Sequence, residues 1–409
     1  MTLQQQERTQ GIEIPRVDYV LLSVVVALLA IGLIMIYSVT FPTNVGQGDA
    51  EPQADFIKQA GFAAIGLILL FVLMRVDYRL WGKLAIPMMG VTILVLIGLL
   101  FMPEVNGSRR WLFGGSIQPS EVAKFTVVVY MAKWLSSKGD KLRDLTYGLL
   151  PFAIFVGVVA GLIIRQPNLS TAIIIGLCAM AMFFIAGADL IQYLFLLLAG
   201  GVTVALVIAN TPYQAERWLT FLQDPFATMT RESYQIAEVL IALGSGGLAG
   251  RGLGSGYSKF GFVPAPHTDS IFALLGEELG LIGTWAVLAL FLALLYRGFK
   301  IASNSADPFG QVLAAGLTFW LIFQAFVNIA VVTASIPFTG VPLPFISFGG
   351  SALISSLAAV GVLLSISRGA GAPLKEADAT FNFGWRNGGT RVSRVSRRRR
   401  NPETRKRAR

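Results

Sequence analysis

The stretch Lys259-Phe-Gly-Phe-Val-Pro-Ala-Pro-His-Thr-Asp-Ser-Ile-Phe-Ala-Leu-Leu-Gly-Glu-Glu-Leu-Gly280 concentrates reactive side chains in a chain that has few. It holds the only histidine, His267, and an aspartate two residues later, Asp269. Alone, Asp269 reads as a helix-start carboxylate worth about 1 kcal/mol. In the company of His267, Lys259, Arg251 and Arg109 a second chemistry opens. A carboxylate within reach of an alcohol serves as a general base. Cations around it hold a diphosphate and stabilise its departure. His267 either tunes one of these groups or caps the loop. Glu277 and Glu278 follow on the next helix, about 100° apart around its axis, so at most one faces a polar cavity squarely.

Four other stretches carry polar groups of the same kind. In Asn106-Gly-Ser-Arg-Arg-Trp-Leu-Phe-Gly-Gly-Ser-Ile-Gln-Pro-Ser-Glu-Val-Ala-Lys124, Pro119 suits the first helical position, and Glu121 and Lys124 share one face. That pair is either an interfacial ion pair or a buried pair lining a polar cavity, since ionisable groups at membrane depth usually face one. Arg165-Gln-Pro-Asn-Leu-Ser-Thr171 reads as a tight turn, with Asn168 explained by the turn alone. Gly244-Ser-Gly-Gly-Leu-Ala-Gly-Arg-Gly-Leu-Gly-Ser-Gly256 matches no nucleotide-binding pattern and reads as a flexible re-entrant loop. Pro337-Phe-Thr-Gly-Val-Pro-Leu-Pro-Phe-Ile-Ser-Phe-Gly-Gly-Ser351 is a rigid broken segment, tolerated in a membrane only when protein covers it or it lines a cavity.

The elements that must position these groups are apolar. The chain is 54% hydrophobic and 14% charged, with mean hydropathy +0.65, against about 25% charged residues in soluble domains. We expect an all-α polytopic membrane protein with about ten transmembrane helices, near 19–39, 57–74, 84–102, 122–135 (the shortest), 148–164, 171–186, 190–209, 270–296, 311–336 and 351–367. A β-barrel is excluded by the lack of short alternating strands. The organisation expected is a polar cytoplasmic leader at 1–18 with no cleavable signal, a membrane domain at 19–367 and a basic tail at 368–409. A large extracytoplasmic loop, 210–268, lies between helices seven and eight. The tail holds 13 Lys/Arg against 3 Asp/Glu, so it carries the whole net charge of +10. Its partner is an anionic membrane surface, not nucleic acid. The tail and the cationic short loops put both termini in the cytoplasm. One cysteine, Cys178, with one histidine, allows neither an internal disulfide nor a Cys/His metal cluster.

Taken together, Gly107-Ser-Arg-Arg-Trp111, Gln118-Pro-Ser-Glu-Val-Ala-Lys124, Arg165-Gln-Pro-Asn-Leu-Ser-Thr171, Gly250-Arg-Gly-Leu-Gly-Ser-Gly256, Pro266-His-Thr-Asp-Ser-Ile-Phe-Ala273, Gly276-Glu-Glu-Leu-Gly280 and Pro342-Leu-Pro-Phe-Ile-Ser-Phe-Gly-Gly-Ser351 resemble the SEDS (FtsW/RodA) family of shape, elongation, division and sporulation proteins. The resemblance covers nearly all of 15–368 and leans towards the division members. It implies a peptidoglycan glycosyltransferase that polymerises lipid II at the outer face of the bacterial cytoplasmic membrane, at the division septum, releasing undecaprenyl diphosphate. The family's essential aspartate matches Asp269. Arg109, Lys124, Arg251 and Lys259 would face the diphosphate and sugars. His267, Gln166, Glu121, Glu278 and Ser351 complete the substrate-binding set that the matched motifs imply. A divalent cation, magnesium or manganese, would neutralise the diphosphate, although no ligand cluster identifies one, and no organic cofactor is implied. The implied partners are a class B penicillin-binding protein, which is a transpeptidase, and other division proteins. Asn168 stands where the family often has an aspartate, so a catalytic role for it loses support. A lipid II flippase and a non-catalytic membrane scaffold are the competing readings.

Overall fold

The computed structural model describes residues 17–46, 53–103, 109–112, 117–223, 225–226, 230–264 and 266–369. Most of the leader and nearly all of the tail lie outside them, as do Asn106, Gly107 and Ser108. Twelve α-helices carry the described chain: α1 Tyr19–Gly46, α2 Ala54–Arg75, α3 Arg79–Leu99, α4 Pro119–Lys138, α5 Leu150–Ile164, α6 Leu169–Ile185, α7 Leu190–Asn210, α8 Pro212–Leu222, α9 Arg231–Ser245, α10 Ile271–Asn304, α11 Pro308–Val332 and α12 Gly350–Gly369. A 3₁₀ turn and a wider π turn, Gly139–Arg143 and Leu145–Leu149, join α4 to α5.

Among the described residues, eight helices are long and apolar enough to cross a membrane. The protein is therefore an all-α polytopic membrane protein. Every one of the ten expected apolar segments is helical, but α4 and α6 fall outside the eight. The cause is where they sit. α4 carries Glu121, Lys124, Lys133 and Lys138, and α6 runs only from Leu169 to Ile185, yet both bury most of their side chains against neighbours. A helix enclosed by protein need be neither apolar all round nor full length. α11 and α12 form the centre, with 89% of the spanning part of α12 buried, while α7 has 6% buried and stands at the edge.

Two layers of polar contacts mark the ends of the bundle. At one end Asp18 accepts from Arg297 Nε at 2.8 Å and Nη2 at 2.6 Å, and its backbone N–H donates to Ser367 Oγ. Asp307 at the same end caps α11 through Gly310 N and accepts from Tyr78 and Arg79. At 1.5 Å rise per residue, α1 advances about 30 Å from Asp18 to Ser38. From Pro308 to Asn328, α11 covers about the same distance, which matches a hydrocarbon core of roughly 30 Å. Ser38 and Asn328 are both buried and tied to residues of 254–278, so the second polar layer lies about one hydrocarbon thickness from the first.

The glycine-rich segment is packed, not loose. α10 is broken at Gly280, where φ is 66° and ψ −165°, a combination open almost only to glycine. The break frees backbone groups, and the 247–252 segment pairs with them. Arg251 N–H donates to Glu277 O and Gly252 N–H to Glu278 O, each at 3.0 Å; Leu281 N–H donates to Gly247 O and Ile282 N–H to Leu248 O. A Cβ on Gly250 or on Gly280 would overlap the facing backbone, so this approach requires glycine on both sides.

Candidate active site

The two adjacent glutamates hold this loop in place. Glu277 accepts from Tyr257 N–H at 2.8 Å and from Ser258 N–H. Glu278 accepts from Ser38 Oγ at 2.6 Å, Gly254 N–H at 3.0 Å and Lys259 Nζ at 2.9 Å. Lys259 also donates to Ser38 O and Gly254 O. Lys259 and Glu278 are each 1% exposed. They grip each other and α1 at Ser38, and present no surface to a ligand. Arg251 lies on the exposed flank of the loop, over the Tyr257 ring with Nε near Ser245 O.

The Glu121–Lys124 pair is also internal. Pro119 opens α4 as expected, and Lys124 Nζ donates to Glu121 Oε1 at 2.8 Å and Gln324 Oε1 at 2.6 Å, beside the Trp320 ring. The space next to Lys124 is a narrow crevice whose lining is otherwise apolar, including Val127, Ile174 and Cys178. Ser351 Oγ accepts from Gln118 N–H and fixes the start of α4 to α12. Gln166 is buried and donates to Leu96 O. Asn168 caps α6 through Thr171 N–H and donates to Ser120 Oγ. Arg109 is exposed and reaches Leu100 O.

Asp269 is half-buried, at the start of α10. Its carbonyl accepts from Asn328 Nδ2 at 2.8 Å, and the same amide donates to Val341 O at 2.8 Å. This ties the start of α10 to the 333–349 segment. Thr268 Oγ1 donates to Asp269 Oδ1 at 2.8 Å. Gly340, at φ 65°, faces the other oxygen: a Cβ there would stand 3.5 Å from Oδ2. Burial pushes the Asp269 carboxyl above the usual carboxylate range. The Thr268 hydroxyl, the Asp269 backbone, Arg217 and His267 pull it back down, by less. A carboxylate with raised proton affinity is a better base. His267 is itself driven below its ordinary value by burial, against Asp55 and Asp269. Its ring meets Phe348 edge-on, and its carbonyl accepts from Phe348 N–H.

Two cations at this end of the bundle were not in the expected substrate-binding set. Arg217, on α8, donates from Nη1 to Phe338 O and lies 4.4 Å from the Tyr213 ring centroid. Arg110 lies against Trp111, near Tyr213 and Arg217. The sequence signal for Arg217 was weak: one cation in a long polar segment whose helix, Pro212–Leu222, only the Thr211-Pro212 start announces. The described stretches 109–112, 117–118, 165–170, 211–223, 230–264, 266–268 and 333–349 thus meet at one end of the bundle, with Asp269 among them.

A family model described as "Cell cycle protein" and covering FtsW, RodA and SpoVE matches residues 19–371. A probable peptidoglycan glycosyltransferase FtsW of Geobacter sulfurreducens is 39% identical over 369 residues, 88% of this chain and 98% of that one. The stage V sporulation protein E of Bacillus subtilis is 39% identical over 361 residues, 86% and 97% of the two chains. Among solved structures, one concerned with the structural coordination of polymerization and crosslinking by a peptidoglycan synthase complex superposes with TM-score 0.70 at 27% identity, covering 86% of this chain and 98% of the other. The rod shape determining protein RodA of Thermus thermophilus gives TM-score 0.64 at 28% identity, over 86% and 97%. The match along nearly the whole membrane domain, in sequence and in fold, settles the family: this chain belongs to the FtsW/RodA/SpoVE, or SEDS, family of cell-wall and cell-division membrane proteins.

Proposed function

We propose that the protein is a lipid II polymerase, a peptidoglycan glycosyltransferase of cell division. Membership of the family supports a glycosyltransferase role in cell-wall synthesis. The observation that carries the finer reading is Asp269: a half-buried carboxylate of raised proton affinity, open towards Gly340, with a guanidinium and an imidazole near it. In the reaction, the acceptor sugar's hydroxyl gives its proton to Asp269 as its oxygen bonds to the anomeric carbon of the donor. The bond from that carbon to the diphosphate breaks, and undecaprenyl diphosphate leaves with the electron pair. Orientation follows from charge. The end opposite the site carries Arg75, Arg79, Lys83, Lys133, Lys138, Lys141, Arg143, Arg297, Lys300 and Arg368, which supports a cytoplasmic placement for it. Ten spans, both termini in the cytoplasm and the site facing outward complete the reading.

Among the described residues no three His, Cys, Asp or Glu side chains converge as a metal centre. No step is assigned to an ion. A class B penicillin-binding protein as partner follows from the function proposed, since strands made here need cross-linking. The test is polymerisation of lipid II by the purified protein, with and without that transpeptidase, comparing wild type with Asp269→Asn. Loss of glycan product in a folded, partner-binding variant supports the enzyme. Unchanged product rejects Asp269 as the base. Transbilayer movement of lipid II, if it alone persisted in wild type, would favour a flippase.

A further inference from the structure

Arg110 and Arg217 form an arrangement that the protein itself does not complete. Both guanidinium groups are partly buried, and the Nε of each is enclosed without a hydrogen-bond partner. Among the described residues, Arg217 Nη1 reaches Phe338 O at 3.2 Å, a neutral carbonyl. Arg217 stacks on the Tyr213 ring, and Arg110 is close enough to feel both that phenol and the other guanidinium. No ion pair joins either arginine to a carboxylate among the described residues. Burying unpaired polar donors costs stability, and two like charges brought together add to that cost. Such a site is complete only with an anion in it.

The position of the pair sets the anion's role. Arg217 rests on Phe338, and Asp269 faces Gly340, two residues along the same extended segment. Consecutive Cα atoms are 3.8 Å apart, so these two backbone points are separated by no more than about 7.5 Å. Between them, Thr339 Oγ1 is buried with no partner, while Thr339 O accepts from Ser170 Oγ at 3.0 Å. A group held by the arginines therefore lies beside the carboxylate and within one sugar's reach of it. The guanidinium fork suits phosphate oxygens.

We propose that Arg110 and Arg217, braced by Tyr213, form the receiving site for the diphosphate of a lipid-linked donor, with the donor's first sugar then directed at Asp269. This rests on the polymerase reading above. It reassigns the diphosphate contact from Lys259, which is locked against Glu278, and from Lys124, which is locked against Glu121. It also explains α8, an amphipathic helix that delivers one of the two cations. A phospholipid headgroup phosphate offers the same chemistry, and the test separates the two sources.

The probe is undecaprenyl diphosphate, with undecaprenol as control, binding to the full-length protein in phosphatidylcholine nanodiscs. Affinity for the diphosphate should fall at least tenfold in Arg217→Gln and in Arg110→Gln. The double variant should lose less than the product of the two, because they share one ligand, and undecaprenol binding should not change. Asp269→Asn should bind the diphosphate at least as tightly as wild type, because it removes a neighbouring negative charge. Unchanged diphosphate affinity in both single variants overturns the proposal, and so does equal loss for undecaprenol. If Arg217→Gln does not fold, Arg110→Gln and the salt dependence of wild-type binding decide in its place. Nanodiscs of phosphatidylglycerol identify the occupant: displacement of the probe there, at matched lipid content, overturns the diphosphate as ligand. Arginine-dependent binding by a wild type that makes no polymer leaves this site standing and removes only the polymerase reading.

Discussion

Replacing Lys259 by methionine separates structure from substrate binding at a residue that the motif resemblance assigned to substrate. Lys259 Nζ has three acceptors, Ser38 O, Gly254 O and Glu278 Oε1, all within 3.1 Å. Lys259→Met removes the cation and leaves the Glu278 carboxylate 1% exposed, with only Ser38 Oγ and Gly254 N–H as donors. Breaking a buried ion pair from one side costs about 3–5 kcal/mol, because the remaining charge is uncompensated. Glu278→Gln in the same background removes that charge, so the double variant should recover up to about 3 kcal/mol of the loss, the upper end of the range found for coupled contacts. The assay is equilibrium unfolding in mixed detergent micelles, read by helix content, for wild type, both single variants and the double. A Lys259→Met protein within about 1 kcal/mol of wild type that binds lipid II poorly would refute the clamp and restore a substrate-facing lysine.

Two further outcomes follow from the same geometry. Asp269 binds its proton more tightly in the folded protein than in the unfolded chain, so its ionised form weakens the fold at pH values above the raised folded value. That penalty vanishes below the unfolded value of about 3.9. Asp269→Asn should therefore unfold at the same or a higher temperature than wild type at pH 7.5, with the gap closing as pH falls through that window. A markedly less stable variant would contradict the burial argument. Gly280→Ala should lose about 2 kcal/mol or more, from a backbone region open almost only to glycine and from overlap with Gly250. Gly200→Ala, on α7 with open space around it, should be neutral or stabilising by up to about 1 kcal/mol. Equal effects in thermal unfolding would argue against the docked loop.

How far the sequence could be read depended on the distance between partners. Apolar runs were legible because a span is a local property, and all ten became helices. Pro119 as a helix start and Glu121 with Lys124 were legible for the same reason, since i and i+3 meet within one turn. Lys259 with Glu278 was not, because the two are 19 residues apart in sequence and meet only in the folded chain. The 246–256 glycines looked loose because their hydrogen-bond partners sit on another element. In Asn168 the tight-turn reading pointed to local structure, and its side chain caps α6. The helices α8 and α9 were hidden inside 210–268: α9 begins with a reciprocal Thr230–Ser233 cap, a weaker signal than the usual Thr-x-x-Glu box. Asp269 was found by its motif, but its setting over Gly340 and its neighbour Arg217 required the fold.

The most direct test of the central claim is the pH dependence of glycan-strand formation by the purified protein under substrate saturation. Wild type should lose rate as pH falls through a midpoint above the ordinary carboxylate value of about 3.9. Arg217→Gln should move that midpoint higher, because Arg217 favours the ionised form. Asp269→Asn should show no comparable rate at any pH. A wild-type rate in Asp269→Asn, with the same acid limb, would contradict the account.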